Sequence, residues 1–348
     1  MSSLFSLSVL STLIVSIIFL ISIILIDSLE SDYIIFLIAG IAIYLAPIKI
    51  NWYYQGIEDF GFITLRSIAI RTLSLLAIFL LIKDRDDLLF YVLINVLGGA
   101  LGDIWNYLRL LKSGIRVRFS LQGIKEHLNP VLTLFVSSIA ISIYTVLDTL
   151  MLGFISSYSE VGYYSNAMYM SRAILALVTS LSVVVVPRVS NLYASNQKDE
   201  INLLVNKAVN AVSFIAFPCA IGLICIAPTL VPAFLGVKFM GSIVPLQILA
   251  ILIIAIGLNN ILGFQCLISL GKDKLFLYVV LLGSFANLVL NALLIPHYGS
   301  VGASISSIFA ELLILFTEVF LVYRYTFIRF SDYKDILLSC CSSLMFIP

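Results

Sequence analysis

The stretch LNPVLTLFVSSIAISIYTVLDTLMLGFI, residues 128 to 155, decides the fold class of this chain. It is apolar along almost its whole length, and at about 1.5 Å per residue it can cross a hydrocarbon core roughly 30 Å thick. Asp148 interrupts it. An acid at that depth costs about 3 kcal/mol on insertion scales, so an intramembrane carboxylate predicts a functional site.

The composition of the whole chain agrees with that stretch. Its 348 residues are 61% hydrophobic and 11% charged, whereas soluble domains carry about 25% charged residues. We therefore predict an integral membrane protein. The net charge of +1 gives no basis for a nucleic-acid partner, and the five cysteines lie in apolar stretches without metal-ligand spacing.

Ten apolar segments have about the length that spans a bilayer. They are 4–26, 33–48, 62–82, 88–111, 128–155, 161–187, 208–235, 242–270, 275–295 and 299–323. An eleventh, 335–348, is too short to cross. The alternating ten-residue segments typical of a membrane β-barrel do not occur in the sequence. We predict an all-α polytopic bundle with about ten complete transmembrane helices plus a partial eleventh.

Two local patterns refine this prediction. Residues 188–207 mix polar and apolar positions at helical spacing, which indicates a short surface helix between two spans. Pro218, Pro228 and Pro232 lie in a single span and predict a bent or broken helix.

The cations predict an orientation and a division into lobes. Sixteen of the 20 Lys and Arg residues lie in loops and helix ends that face one side, which the positive-inside rule assigns to the cytoplasm together with the N-terminus. The basic segment 112–127 is expected to lie along anionic lipid. It separates an N-terminal lobe, 1–111, with four spans from a C-terminal lobe, 128–326, with six. Residues 327–348 form a cytoplasmic connection and the start of a further helix.

Two pairs of opposite charges lie at matching depths. Arg71 and Asp103 both lie roughly 12 to 14 Å from the cytoplasmic end of neighbouring antiparallel spans, so we expect them to pair across the hairpin. Asp148 and Arg172 lie about 10 and 16 Å below the outer face, and they form a second, less well matched pair.

A rival set of partners for Asp148 consists of amides and hydroxyls. Asn287 and Asn291 share a helix face at i, i+4, and Ser304 and Ser307 lie at similar depth in the next span. A carboxylate with amide and hydroxyl oxygens offers the hard ligands that suit a small cation such as Na⁺. The alternative is ordinary helix packing, because Asn and Ser commonly form hydrogen bonds between membrane helices.

Two further acids follow in the tenth span. Glu311 lies near the midplane, where a proton-carrying acid is expected. Glu318 lies one heptad later on nearly the same face, close enough to the cytoplasmic end to be solvated.

Several stretches resemble the oligosaccharide flippases of the O-antigen transporter type, in the superfamily that also contains lipid II flippases and multidrug and toxin exporters. The stretches are INWYYQGIEDFGFITLRS at 50–67, YTVLDTLMLG at 144–153, EVGYYSNAMYMSR at 160–172, VVPRVSNLYAS at 185–195 and LLGSFANLVLNALLIPHYGSVGASISS at 281–307. The resemblance implies two six-helix lobes, a central cavity and alternating access. It also implies a non-enzymatic protein of the bacterial inner membrane.

The resemblance further implies ligands and partners. The substrate would be an undecaprenyl-diphosphate-linked oligosaccharide, such as an O-antigen or capsule repeat unit. Its partners would be membrane lipids, a polysaccharide polymerase and a chain-length regulator. The resemblance implies no cofactor beyond a coupling Na⁺ or H⁺.

The same resemblance assigns roles to individual residues. Arg172 matches a cavity arginine that would face the diphosphate, and we expect Arg71 to assist it. Asp148, Asn287 and Asn291 match the positions of a sodium site, where the related lipid II flippases carry a second Asp in place of one Asn. That difference lowers the charge of the site and leaves the choice between Na⁺ and H⁺ open.

Other functions remain as alternatives. The family usually begins with two more helices than this chain, and only four spans precede the basic segment while six follow it. We therefore expect a truncated reading frame, for which a non-functional fragment is one outcome. A multidrug exporter and a membrane glycosyl polymerase are the others, although the short outer loops disfavour a polymerase.

Overall fold

The chain is almost wholly helical in the residues that its computed structural model describes, which are 2–25, 33–84, 87–115, 119–120 and 123–330. The α-helices are α1 Ser2–Leu25, α2 Tyr33–Tyr44, α3 Asn51–Gly56, α4 Phe60–Leu81, α5 Leu88–Lys112, α6 Ile124–Ile155, α7 Tyr158–Ala194, α8 Lys198–Phe234, α9 Ile243–Leu249, α10 Leu252–Asn260 and α11 Asp273–Tyr325. Short 3₁₀ helices cover Ala46–Ile48 and Val237–Ser242, and a π-helix covers Ile261–Ile268.

The number of membrane spans follows from length and hydropathy. Within the described ranges, eight helices are long and apolar enough to cross a membrane, and a ninth span arises if the pair Val237–Leu249 and Leu252–Ile268, bent by 44°, is one crossing. The 53 residues of α11 would extend about 80 Å, more than twice a hydrocarbon core. The predicted all-α, multi-pass membrane fold is confirmed.

Helix α11 is divided at Gly299, whose φ of 52° and ψ of −128° are not helical. Pro296 lacks a backbone N–H, which weakens the helix just before this point. The Glu160 carboxylate then accepts a hydrogen bond from the Ser300 backbone N–H at 2.7 Å. The two limbs, 273–298 and 300–325, correspond to the last two predicted spans.

The prediction of a separate surface helix was wrong, and the span with three prolines, which was predicted to be bent or broken, is not broken. No separate surface helix lies between the sixth and seventh spans, because α7 continues to Ala194 and α8 begins at Lys198. The helix α8 runs unbroken through Pro218, Pro228 and Pro232. Prolines are tolerated in membrane helices where neighbouring groups satisfy the carbonyls that they leave free.

The chain divides into two compact units, residues 1–129 and 130–348. Unit 1 contains α1 to α5, with α4 and α2 packed on α5, and Ile50, Tyr54 and Leu110 form a small buried cluster. Parts of the predicted basic linker, 116–118 and 121–122, lie outside the described residues, and so does the predicted partial span at 335–348.

Unit 2 carries the large core and the site described below. Its helices α7, α8 and α10 pack against one another, and α11 packs on α7 and α10. Many small residues such as Ala167, Ala216 and Ala303 are completely buried in this unit. Small residues let membrane helices approach closely. Large apolar side chains such as Phe154 and Phe214 are exposed on the outside, as a lipid-facing surface requires.

Candidate functional site

Asp148 lies in the interior of unit 2, on α6, with a side chain that is 3% exposed. Three donors from two other helices surround its carboxylate. On one oxygen, Oδ2, it accepts hydrogen bonds from the Tyr164 hydroxyl of α7 and from the Ser307 hydroxyl of α11, the latter at 2.8 Å. On Oδ1 it accepts a hydrogen bond of 2.6 Å from Asn291 Nδ2. The carboxylate therefore connects α6, α7 and both limbs of α11.

The two predicted amides lie side by side in this centre. Asn291 Nδ2 also donates to Asn287 Oδ1 at 3.1 Å, one turn earlier on the same limb. Both side chains are fully buried. Asn287 Nδ2 and Asn291 Oδ1 have no hydrogen-bond partner, which is costly for a polar atom in a membrane interior.

No cation neutralises this carboxylate in the part of the chain that the structure describes. Asp148 has no Lys or Arg nitrogen within 4.0 Å, and the recorded ion pair, Arg109 with Asp59 at 3.0 Å, is in unit 1. The predicted pair of Asp148 with Arg172 is therefore wrong. Arg172 is exposed and lies eight residues after Tyr164 on α7. Of the two predicted sets of partners for Asp148, the amides and hydroxyls are the ones that contact it.

One member of the predicted set does not reach Asp148. The Ser304 hydroxyl donates to the Ser300 carbonyl of its own helix at 2.8 Å, although its side chain is fully buried. Ser307 instead contacts Asp148 and lies 3.0 Å from the Tyr164 hydroxyl. The two serines are only about 60° apart around the helix and about 4.5 Å apart along it, but only the Ser307 hydroxyl contacts Asp148.

Glu311 forms a second polar centre next to the first. It accepts a hydrogen bond from the Tyr144 hydroxyl of α6 on Oε1, at 2.7 Å, and one from Asn259 Nδ2 of α10 on Oε2, at 2.7 Å. The Asn259 amide also lies 3.2 Å from the Glu311 carbonyl oxygen. Tyr144 is one turn before Asp148 on α6, so the two centres are adjacent.

Glu318 is buried more deeply than the sequence predicted. Its side chain is 1% exposed and its Oε2 has no hydrogen-bond partner. The expectation of a solvated acid was therefore wrong. The cause is the π-helix Ile261–Ile268, against which this part of α11 packs.

In unit 1, a cavity of about 440 Å³ brings Arg71 and Asp103 to the same walls. Arg71 is exposed and forms no ion pair with Asp103, so that predicted pair is also wrong. Arg66 is the buried cation of this unit. Its guanidinium donates to the Gly102 carbonyl at 2.7 Å and to Asn51 Oδ1 at 3.2 Å.

Three side chains that were not predicted from the sequence complete the polar centres, namely Tyr164, Tyr144 and Asn259. Tyr164 is fully buried, and its neighbour Tyr163 contacts a different surface near Gly241. A signal was available for Tyr144, because its spacing from Asp148 is i, i+4. Nothing in the hydropathy distinguishes Tyr164 from the other tyrosines of α7.

The oxygen atoms at and around Asp148 could coordinate a small cation. The carboxylate, Asn287 Oδ1 and the Ser307 hydroxyl are hard oxygen ligands of the kind that Na⁺ takes. Turning the Asn291 amide by half a turn would bring its unpartnered Oδ1 to the position of Nδ2, toward both Asp148 and Asn287. These four residues could then hold a cation, whereas Ser304 would not contribute. The role itself stays a prediction.

Comparison with known proteins finds a matching family model, a named relative and solved structures with a similar fold. A family model described as "Polysaccharide biosynthesis protein" matches residues 1–193. A protein of Shigella dysenteriae, provisionally named an O-antigen transporter, is 26% identical over 284 residues, which cover 80% of this chain and 70% of that protein.

Two solved structures have a similar fold. The lipid II flippase MurJ, in an inward closed conformation, has a TM-score of 0.66 at 18% identity and covers 99% of this chain and 75% of its own. An outward-facing multidrug resistance transporter of the MATE family, in the MOP superfamily, has a TM-score of 0.77 at 12% identity and covers 93% and 78%. At these identities the likeness concerns the fold alone.

Proposed function

This chain belongs to the polysaccharide biosynthesis protein family, and from that premise we propose that it is a flippase for a lipid-linked oligosaccharide. The substrate would be an undecaprenyl-diphosphate-linked repeat unit, moved from the inner to the outer leaflet of the bacterial cytoplasmic membrane. The relative named as an O-antigen transporter supports this assignment. With the N-terminus in the cytoplasm, as the cation distribution favours, a polymerase and a chain-length regulator would receive the product outside.

The geometry around Asp148 supports coupling to a cation. A carboxylate that is 3% exposed and has no cationic side chain within ion-pair distance is unfavourable in a membrane. Hydrogen bonds from Tyr164, Ser307 and Asn291 stabilise its charge in part. A bound Na⁺ would supply the positive charge that is missing.

Occupancy of this site can bias the conformation of unit 2. Asp148 and its neighbours belong to α6, α7 and both limbs of α11, so the distances between these helices determine how many oxygen atoms converge. A ligand shifts an equilibrium between two states by its difference in affinity for them. The state in which Asp148, Asn287, Asn291 and Ser307 lie closest would be favoured when the cation is present.

The substrate would be held by arginines away from this centre. Arg172 is exposed on α7, where its guanidinium is free of any ion pair with Asp148 and can bind a diphosphate in two-pronged geometry. Arg71 is exposed on a wall of the cavity in unit 1. We propose both as diphosphate contacts of the flippase.

Complementation tests the substrate assignment. The chain, or Asp148→Asn or Arg172→Ala, would be expressed in a strain that lacks its own O-antigen flippase, and surface polysaccharide would be measured with membrane expression as the control. We expect restoration by the wild-type chain, loss with both variants and retention with Ser304→Ala. Restoration by both site variants, or none by a well-expressed wild-type chain, would refute the assignment. Drug resistance without polysaccharide would indicate a multidrug exporter.

A further inference from the structure

Glu318 is a buried acid that neither the cation site nor the diphosphate contacts use. It lies in the second limb of α11, about 10 Å from the end of the helix at Tyr325, and is 1% exposed. Its Oε2 has no hydrogen-bond partner. Its Oε1 lies against Gly263, where an added Cβ would be 2.7 Å from it.

The segment that covers Glu318 is the π-helix Ile261–Ile268. A π-helix widens the turn, and such segments are rare and often occur at functional sites. Here the widened turn places Gly263 against the carboxyl group and next to Phe276, whose ring would be 2.7 Å from the same added Cβ. Gln265, also in this segment, is 1% exposed and its Oε1 has no partner.

The charges around Glu318 do not favour an ionised carboxylate. On its own helix Glu311 lies one heptad earlier and has the same charge, while Tyr323 and Arg324, five and six residues later, are exposed and Arg324 makes no ion pair with Glu318. The π-helix contributes the thiol of Cys266, which is fully buried. The first limb of α11 presents Phe276, and its Asp273 and Lys274 make no ion pair with Glu318; α9 and α10 carry no titratable residue.

On the remaining sides, Tyr144 of α6 donates to Glu311. The charged residues of α7 and α8 that lie toward the same end of the unit are exposed and make no ion pair with Glu318; they are Arg188, Lys198, Asp199, Glu200 and Lys207. In the described part of the chain, no Lys or Arg pairs with Glu318.

The two acids of this limb therefore differ in their surroundings. Glu311 accepts hydrogen bonds from Tyr144 and Asn259, which favour a carboxylate. Glu318 accepts none on Oε2, lacks a counter-charge and lies among apolar groups, which favours the neutral acid.

We propose that Glu318 is a proton-binding site of unit 2, in which the π-helix Ile261–Ile268 covers a neutral carboxylic acid. The site is separate from the cation centre at Asp148, because Glu318 lies 11 residues beyond Ser307 on α11, about 16 Å along the helix axis. Its use in transport rests on the proposed flippase function, but the bound proton itself does not.

Infrared spectroscopy of the purified full chain in lipid vesicles tests the bound proton directly. At neutral pH we expect a carboxylic acid C=O stretching band at the high frequency typical of an acid without a hydrogen bond, shifted in heavy water. The band should disappear in Glu318→Gln. It should remain in Glu311→Gln and in Glu200→Gln, whose side chain is exposed in the first turn of α8.

A band that survives in Glu318→Gln, or no such band in the wild-type protein, would overturn the proposal. If Glu318→Gln does not fold, Glu318→Asp should fold and shift the band, because the shorter acid withdraws from Gly263. An unshifted band in Glu318→Asp would again overturn it. These measurements need no transport, so failed complementation with an intact band would reject the flippase assignment alone.

Discussion

The replacement Asp148→Asn should abolish stabilisation of the protein by Na⁺. A ligand that binds only the folded state stabilises it by RT ln(1 + [L]/Kd), which is about 2.7 kcal/mol at 100 times Kd. The four ligand residues lie on α6 and on both limbs of α11, so a cation bound there would connect segments that must separate on unfolding. Without the charge of Asp148, a site made only of amide and hydroxyl oxygens should bind Na⁺ too weakly to give this effect.

The variant should still fold, which makes the comparison informative. An Asn at 148 can accept from Tyr164 and Ser307 through its oxygen, at the position of Oδ2. Its NH₂ would meet Asn291 Nδ2, which is 2.6 Å from Oδ1 of the acid, unless Asn291 turns and presents its unpartnered oxygen. We expect a basal change of about 1 kcal/mol, the net contribution of an ordinary hydrogen bond.

The assay is thermal unfolding of purified protein in detergent, with NaCl replaced stepwise by KCl at constant ionic strength. Wild-type protein should unfold several degrees higher in Na⁺, and Asp148→Asn should show no difference between the salts. Ser304→Ala is the matched control, because the Ser304 hydroxyl bonds only within its own helix, and it should keep the full Na⁺ effect. Equal stabilisation by K⁺, or an undiminished Na⁺ effect in Asp148→Asn, would refute the reasoning.

Two structural predictions concern the packing of unit 2. Tyr164→Phe removes a charge-assisted hydrogen bond to Asp148 and should lower the free energy of unfolding by about 1.5 to 3 kcal/mol, whereas Tyr169→Phe, 71% exposed, should have little effect in the same denaturant titration. Gly299→Ala combines a backbone conformation reserved for glycine with a Cβ 2.6 Å from Glu160 Oε2. It should cost about 1 to 3 kcal/mol, while a wild-type unfolding midpoint would show that the helix break does not depend on glycine.

The transmembrane architecture was predictable because a bilayer leaves few choices. Every backbone polar group must be satisfied inside the span, so long apolar segments become helices whatever their neighbours. The break at Gly299 fell between two predicted spans. The three prolines of α8 do not break their helix, which remains continuous.

The depth of the candidate-site residues in the membrane was predictable, but the direction in which each side chain points around its helix was not. Position along a helix gives depth directly, and Asp148, Asn287, Asn291 and Ser307 do meet. The side of a membrane helix that faces its neighbours is harder to read, since lipid and protein interior are both apolar. Ser304 does face the protein interior, but its hydroxyl bonds to the Ser300 carbonyl of its own helix and not to Asp148.

The same limitation explains the errors about the arginines. Residues five apart point about 140° from each other on a helix, so the choice between Arg66 and Arg71 as the buried cation depended on a rotation that hydropathy does not reveal. The π-helix had no signal in the sequence either. The π-helix buries Glu318, whereas the position of this acid near the end of its span predicted a solvated side chain.

The central claim is that this chain moves a lipid-linked oligosaccharide under the control of a cation bound at Asp148. The most direct test reconstitutes the purified chain in vesicles with a fluorescent polyprenyl-diphosphate oligosaccharide and measures its movement between leaflets, with and without a Na⁺ gradient. We predict that the gradient accelerates movement in the wild-type protein and has no effect in Asp148→Asn. Movement that is absent in the wild-type protein, or equally fast and equally Na⁺-dependent in Asp148→Asn, would contradict the claim.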